Sequence, residues 1–203
     1  MAKKNQTIII LLSITIFLLV TVLVLFFVKG GFPVKKGFEA KDSGKGEQPV
    51  EMVPVGANVS STLPASYGFS YPAEKSFDGN EFSWWSPEDS RPGQWIEYHL
   101  GQPQRLTGIK ILNGAHYPNY SNGVVYFGDL YYQNAILTEA TLEFSDGTRR
   151  EINLRVYDGM QTIEFPEVLT SSVKIICRGV KPGERWQDVC ISEFRALVAK
   201  PSI

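Results

Sequence analysis

Histidine and cysteine are nearly missing from this chain of 203 residues: His99, His116, Cys177 and Cys190 are the whole supply. With so few, no HExxH pair and no Cys/His cluster of zinc spacing can be written, and the chain also lacks a G-x-S-x-G elbow and a phosphate-cradling glycine loop before a helix. His99 falls beside Glu97 on the polar side of an alternating segment, where a solvated imidazole is expected rather than a general base. The expectation is a protein that is not an enzyme. No sustained helical period appears, and no internal repeat of solenoid length.

An excess of positive charge is lacking too. All 21 acidic residues follow residue 28, as do all of the 20 basic ones except Lys3 and Lys4, so that part carries 18 − 21 = −3. Nucleic acid is excluded as an expected partner. Cys177 and Cys190 sit on segments that read as neighbouring strands. They are either one disulfide, which would place the domain outside the cytoplasm, or two buried free thiols.

What is present begins with an apolar run. Residues 7–28 hold no charge, proline or glycine, and at about 1.5 Å per residue such a helix spans roughly 30 Å of hydrocarbon. Phe26, Phe27 and Val28 lead straight into Lys29 without a small-residue cleavage site or a lipobox cysteine, so the run reads as an uncleaved signal anchor behind a short tail, residues 1–6. Lys3 and Lys4 are opposed by Lys29, Lys35 and Lys36, and the charge count alone does not favour an outside C-terminus. The very short tail and the cysteine pair do, and a single-pass membrane protein with an extracytoplasmic C-terminal domain is expected. Residues 29–55, rich in Gly, Pro, Lys and Glu, read as a flexible juxtamembrane linker.

From residue 56 to 199 short apolar alternations are divided by turn residues: 95–100, 106–112, 140–145, 150–156, 160–165, 173–178 and 189–197. These predict strands. Ile96, Tyr98 and Leu100 would face one side and Glu97 and His99 the other, with Ser145–Thr148 as a hairpin turn. The fold class is therefore all-β, a sandwich or jelly roll behind one transmembrane helix.

The stretch AEKSFDGNEFSWW at 73–85 packs Asp78, Asn80 and Ser83 into one loop that turns at Gly79. Oxygen atoms concentrated in this way suit a hard cation such as Ca²⁺; the same residues would also form an Asx turn capping its own backbone.

That stretch, followed by GQWIEYHLG, ILNGAHY, YQNAILTEATLEFSDGT and DVCISEFRAL, resembles the discoidin superfamily, also called coagulation factor V/VIII type C domains. It is similar in particular to the branch named for the translocation domain of the streptococcal NAD-glycohydrolase toxin. The resemblance runs from about Ala57 to Val198, with D-G-N-x-x-S-x-W and C-I-S-E-F as its most specific elements. It implies a galactose-binding-like jelly roll of two antiparallel sheets, carrying a structural Ca²⁺ in many relatives, family 32 carbohydrate-binding modules among them. The implied ligands are the Asp78 and Glu193 carboxylates, an oxygen of Ser83, and backbone oxygens of Lys75 and Asn80. Ser83 stands where relatives usually have Thr, which keeps the oxygen. Glu193 lies among apolar neighbours, where an unpaired carboxylate is costly; a cation, or a salt bridge to Arg195 or Arg91, would account for it. Toxin relatives join this module to an NAD-cleaving domain, which has no counterpart here.

Trp85 and Trp95 fall where relatives keep core aromatics. Trp84, next to Trp85, cannot share its core if the two face opposite ways. A glycan module stacks sugar on exposed aromatics and bonds its hydroxyls with polar groups of the end loops. The candidates are Trp84, His116, Tyr117, Tyr120 and Asn122, then Arg178, Glu184, Arg185 and Trp186; packing is the competing role for the tyrosines and for Trp186. The expected partner is a glycan, or else a surface protein docked by the same sandwich.

Overall fold

The computed structural model describes residues 48–66, 68–89, 91–117 and 130–200. The apolar run at 7–28, its tail and residues 29–47 of the linker lie outside these residues, as do Tyr120 and Asn122. Among the described residues no helix is long and apolar enough to cross a membrane.

Seven strands are described: β1 (Val50–Met52), β2 (Gly56–Val59), β3 (Trp95–Asn113), β4 (Ile136–Phe144), β5 (Arg149–Asn153), β6 (Met160–Lys181) and β7 (Ile191–Val198). A 3₁₀ turn occupies Ala73–Ser76, and one short helix, α1, Leu130–Gln133. All strand pairings are antiparallel. Two differences from the sequence expectation stand out. The segments expected as four separate strands at 95–100, 106–112, 160–165 and 173–178 are two long ones, β3 and β6. In addition, Val50–Met52, assigned to the linker, pairs with Val198, Leu197 and Ala196 as an edge strand.

The first difference has a physical origin in the pairing of the two long strands. The start of β3 (95–99) pairs with the end of β6 (172–176), and the rest of β3 (104–112) with the start of β6 (160–170), with register shifts between His99 and Gln104 and between Leu106 and Gly108. β2 and β4–β5 extend the first pairing, whereas β7 and β1 extend the second. The long strands thus pass from one layer of an all-β sandwich to the other, bending at the irregular points, as strands do at the corners of such folds.

The alternation expected on β3 holds: Ile96, Tyr98 and Leu100 are buried, and Glu97 and His99 are not. By the same parity Trp95 belongs to the outer face. It is half-buried, with Lys174 Nζ 4.7 Å from its ring centre, so its expected place in the core is corrected. The core of both layers meets at Tyr98 and Phe194, fully buried rings stacked 3.9 Å apart and 5° from parallel. Burial pushes the Tyr98 phenol far up, so it serves as a neutral donor to Ser76 Oγ at 2.9 Å. The expected turn at Ser145–Thr148 is present, closed by the Phe144 N–H donating to the Thr148 carbonyl.

Replacing Phe194 by alanine removes one member of the stack and leaves a cavity between layers. Chemical denaturation of the detergent-solubilised chain is expected to show a loss of about 3–5 kcal/mol, whereas Leu169→Ala, at a 63 % exposed residue of the same sandwich, stays within about 0.5 kcal/mol.

Candidate functional site

Trp84 and Trp85 do face opposite ways. Trp85 enters the main core, and Trp84 enters a second, smaller apolar cluster with Tyr71, Ala115, Leu130 and Cys190. Trp84 is only 5 % exposed, so its expected exposure as a sugar platform is corrected: it is a wall. The space it helps enclose is a cavity of about 290 Å³, near the lower end of small-ligand sites, roughly 300–1,000 Å³.

Four aromatic side chains, Phe69, Tyr71, Trp84 and Trp186, form most of the lining with Leu63 and Leu130. Phe69 and Tyr71 lie against Trp84 with ring centres 5.3 and 5.9 Å away. The polar groups are Ser66, Asn134 and Asp188. Four segments carry these residues: 63–71, Trp84, 130–134 and 186–188. A narrow turn sets Phe69, with paired backbone bonds between Ser66 and Phe69 at 3.0 and 2.8 Å. Leu63 is tied by its N–H to the Ser86 carbonyl. On the far wall, the N–H groups of Arg185 and Trp186 donate to the Gln133 carbonyl at 3.0 and 2.8 Å, which fixes the loop 182–188 on α1. That approach requires glycine at 183, where a Cβ would stand 2.3 Å from the Trp186 carbonyl oxygen and 2.4 Å from the Asn134 carbonyl carbon.

Asp188 is half-buried, and desolvation raises its carboxyl above the usual range. Its own backbone N–H donates to it, and so does Ser86 Oγ at 3.1 Å, but that hydroxyl lies nearer the Val189 carbonyl, at 2.8 Å. One hydroxyl proton cannot fully serve both. The Cys190 thiol is 3.8 Å away, a long contact from a weak donor.

Of the residues expected from sequence to bind ligand, Trp84 and Trp186 line this cavity. Arg185 stacks on Trp186, its guanidinium carbon 4.5 Å from the ring centre, and exposed Tyr117 stands edge-on to Phe69 at 5.2 Å. His116 is drawn elsewhere: Nδ1 is 2.8 Å from the Asp158 carboxylate and Nε2 is 3.2 Å from the Asn113 carbonyl. Arg178 also falls away from the cavity, reaching Glu151 at 3.6 Å and Thr141 at 3.4 Å on the sheet. Glu184 is exposed, with its backbone N–H on the Tyr132 carbonyl. Of the two readings of the cysteine pair, the structure has the free thiols and not the disulfide. Cys177 and Cys190 are free and buried in different clusters, and burial pushes the Cys177 thiol up to about 11 and that of Cys190 well above its ordinary value. Sequence reasoning missed Leu63, Ser66, Phe69, Tyr71, Leu130, Asn134 and Asp188. The aromatic pair around Ser70, just after Gly68, was the available signal.

A second constellation gathers all five expected cation ligands. Gly79, at φ +83°, turns the loop, and its N–H donates to Glu193 Oε1 at 2.6 Å. The Ser83 hydroxyl meets three acceptors: Asp78 Oδ2 at 2.8 Å, the Asn80 carbonyl at 3.0 Å and the Lys75 carbonyl at 3.4 Å. It has one proton for the three. Glu193 is 4 % exposed, and Arg195 Nη1 lies against its Oε2 while directing its hydrogen bond to the Phe194 carbonyl at 2.7 Å; Oε2 is left buried without a hydrogen bond. Desolvation raises the Glu193 carboxyl despite Arg195. The donor set is all oxygen and short of protons, as a hard cation takes. Among the described residues no three His, Cys, Asp or Glu side chains come together, so such an ion would rest on two carboxylates and neutral oxygens.

Residues 51–196 match the family described as NAD glycohydrolase translocation F5/8 type C domain. A comparison with curated proteins finds no match. Among solved structures the chain is similar to CpGH89CBM32-5 from Clostridium perfringens, in complex with GalNAc-β-1,3-galactose, at 18 % identity and a TM-score of 0.51 over 70 % of this chain and 94 % of that one. It is also similar to the lectin domain of lectinolysin complexed with Lewis B antigen, at 15 % identity and a TM-score of 0.50 over 71 % of this chain and 93 % of the other. Both likenesses bear on the fold.

Proposed function

Because the chain belongs to the NAD glycohydrolase translocation F5/8 type C domain family, we propose that it is a non-catalytic carbohydrate-binding module held at a membrane by residues 7–28. One observation carries the binding role: a cavity of about 290 Å³ walled by Phe69, Tyr71, Trp84 and Trp186, with Ser66, Asn134 and Asp188 as its polar groups. Aromatic faces cover the apolar C–H side of a sugar ring, and a few convergent polar groups take its hydroxyls. The similar solved structures in complex with GalNAc-β-1,3-galactose and with Lewis B antigen support the reading, since they share this sandwich.

Calcium is proposed as a structural ion in the D-G-N loop, held by Asp78, Glu193, Ser83 and the carbonyls of Lys75 and Asn80. It would add positive charge beside Glu193, whose Oε2 has Arg195 against it but accepts no hydrogen bond, and to the crowded oxygens around Ser83. The anchor is proposed from the apolar run itself. Placement of the sandwich outside the cytoplasm is proposed together with the anchor and draws no support from a disulfide, because both cysteines are free.

Three measurements test these proposals. On a glycan array the detergent-solubilised chain is expected to give discrete hits, which Trp186→Ala weakens by about tenfold or more, ~1.4 kcal/mol, with an unchanged melting curve; a blank array for the wild type overturns the binding role. Chelation is expected to lower the melting temperature by about 2–4 °C per kcal/mol that the ion supplies, and Asp78→Ala to erase that response. The raised Glu193 carboxyl stabilises the folded chain when protonated, and this contribution is lost as pH rises through its folded value. The ion replaces the proton above that point, so chelation should cost more near pH 7 than near pH 5; no effect of chelator at either pH rejects the ion. Finally, the full chain should stay in the membrane pellet after an alkaline carbonate wash and lose that property on deletion of residues 1–28. Release of the intact chain by the wash rejects the anchor.

A further inference from the structure

Among the described residues the lining of the cavity has one charge of one sign. Asp188 is the only ionisable acid or base of that described lining apart from the Tyr71 phenol, and no described lysine, arginine or histidine belongs to it. Among the described residues no ion pair reaches the Asp188 carboxylate. Its own backbone N–H donates to it, its hydroxyl donor, Ser86, lies closer to the Val189 carbonyl, and the Cys190 thiol is distant; none of these brings a positive charge. Arg185 stacks on Trp186 without entering the lining.

A carboxylate in this setting is short of positive charge, and desolvation makes its ionised form costly. The rest of the lining shares the same appetite. The π faces of indole, phenol and phenyl rings are negative, and cations are attracted to them within about 6 Å, more strongly when desolvated. Four such rings around one carboxylate repel an anionic sugar and favour a cation.

We propose that the cavity selects a saccharide carrying a protonated amine, with the ammonium directed to Asp188 and the ring packed against the aromatic wall. The size of the cavity suits a terminal sugar residue, not an extended chain. This inference rests on the carbohydrate-binding role proposed above and narrows it to cationic sugars. The shared chemistry, a positive nitrogen in an aromatic cage, could also come from a choline-type headgroup.

The test is titration of the full chain in detergent with glucosamine, N-acetylglucosamine, glucose, glucuronic acid and choline, followed by calorimetry or ligand-observed NMR. Glucosamine is expected to bind about tenfold or more tightly than glucose and N-acetylglucosamine, with no binding of glucuronic acid. Asp188→Asn should abolish the preference while leaving residual binding of the neutral sugars and a wild-type melting curve. The preference should also fade on acidification, starting at a higher pH than for an ordinary aspartate, since protonation removes the charge that holds the amine. Equal affinity for all neutral and amino sugars, or a preference that survives Asp188→Asn, overturns this inference and leaves the carbohydrate role standing. Choline bound in preference to every sugar overturns both and assigns the cage to a quaternary ammonium group. Absence of binding by all five probes overturns the amino-sugar assignment. Should Asp188→Asn unfold the chain, Ser86→Ala gives the second reading: it strips Asp188 of its hydroxyl donor and should keep or strengthen the glucosamine preference, and loss of that preference in a folded Ser86→Ala chain counts against Asp188 as the cation's partner.

Discussion

The parallel stack of Tyr98 on Phe194 is the contact on which the arrangement hangs. Tyr98 belongs to the part of β3 that pairs with β2 and the end of β6, and Phe194 to β7 on the other layer. Two rings at 3.9 Å with no exposure fix both the spacing and the register of the layers, because a one-residue slip of either strand would turn its ring outward. The phenol then reaches Ser76, whose hydroxyl donates to the Ala73 carbonyl, so the 3₁₀ turn that begins the D-G-N loop is held from inside the sandwich. On the other side of the stack Glu193, the residue before Phe194, reaches Gly79 in the same loop. Core and loop are therefore one construction, joined through a single aromatic pair.

Much of this was legible in the sequence wherever a local pattern dictates a local outcome. Period-two alternation placed Ile96, Tyr98 and Leu100 inside, Asp146 and Gly147 marked a hairpin, and adjacent tryptophans implied that Trp84 and Trp85 do not share one core, though not that Trp84 is buried in a second. The five residues expected to surround a cation do converge, because four of them lie within nine residues of chain and the fifth follows from the pairing of β7 with β3. What could not be read depends on contacts far apart in sequence. No local signal distinguishes two short strands from one long strand that bends between layers, and Met52 pairs with a residue on β7 that is distant in sequence. The cavity was missed for the same reason: Phe69, Trp84, Leu130 and Trp186 come from four segments, and none has a periodicity that announces a shared wall. The cysteines show the limit of sequence spacing, since neighbouring positions along the chain and in strand order still ended in different clusters.

Residues 78–86 connect the two constellations that carry chemistry. Asp78 and Ser83 face the oxygen-rich loop, Trp84 walls the cavity, Trp85 enters the main core and donates its indole N–H to the Ser61 carbonyl, and Ser86 reaches Asp188. Trp85 also exchanges backbone bonds with Ile191, two residues before Glu193. Whatever fixes Ser83 thus restricts Trp84 and Ser86, which are one and three residues further along a chain whose middle member is locked in the core. A cation in the D-G-N loop would act on the cavity through this short, packed segment, by narrowing the positions its wall can take and not by touching a ligand. The opposite arrangement, an ion among the ligand-binding groups themselves, would have cancelled the negative charge of Asp188. With the two constellations separated along residues 83–86, a cation in the loop would stabilise the scaffold without cancelling the charge of Asp188 in the cavity.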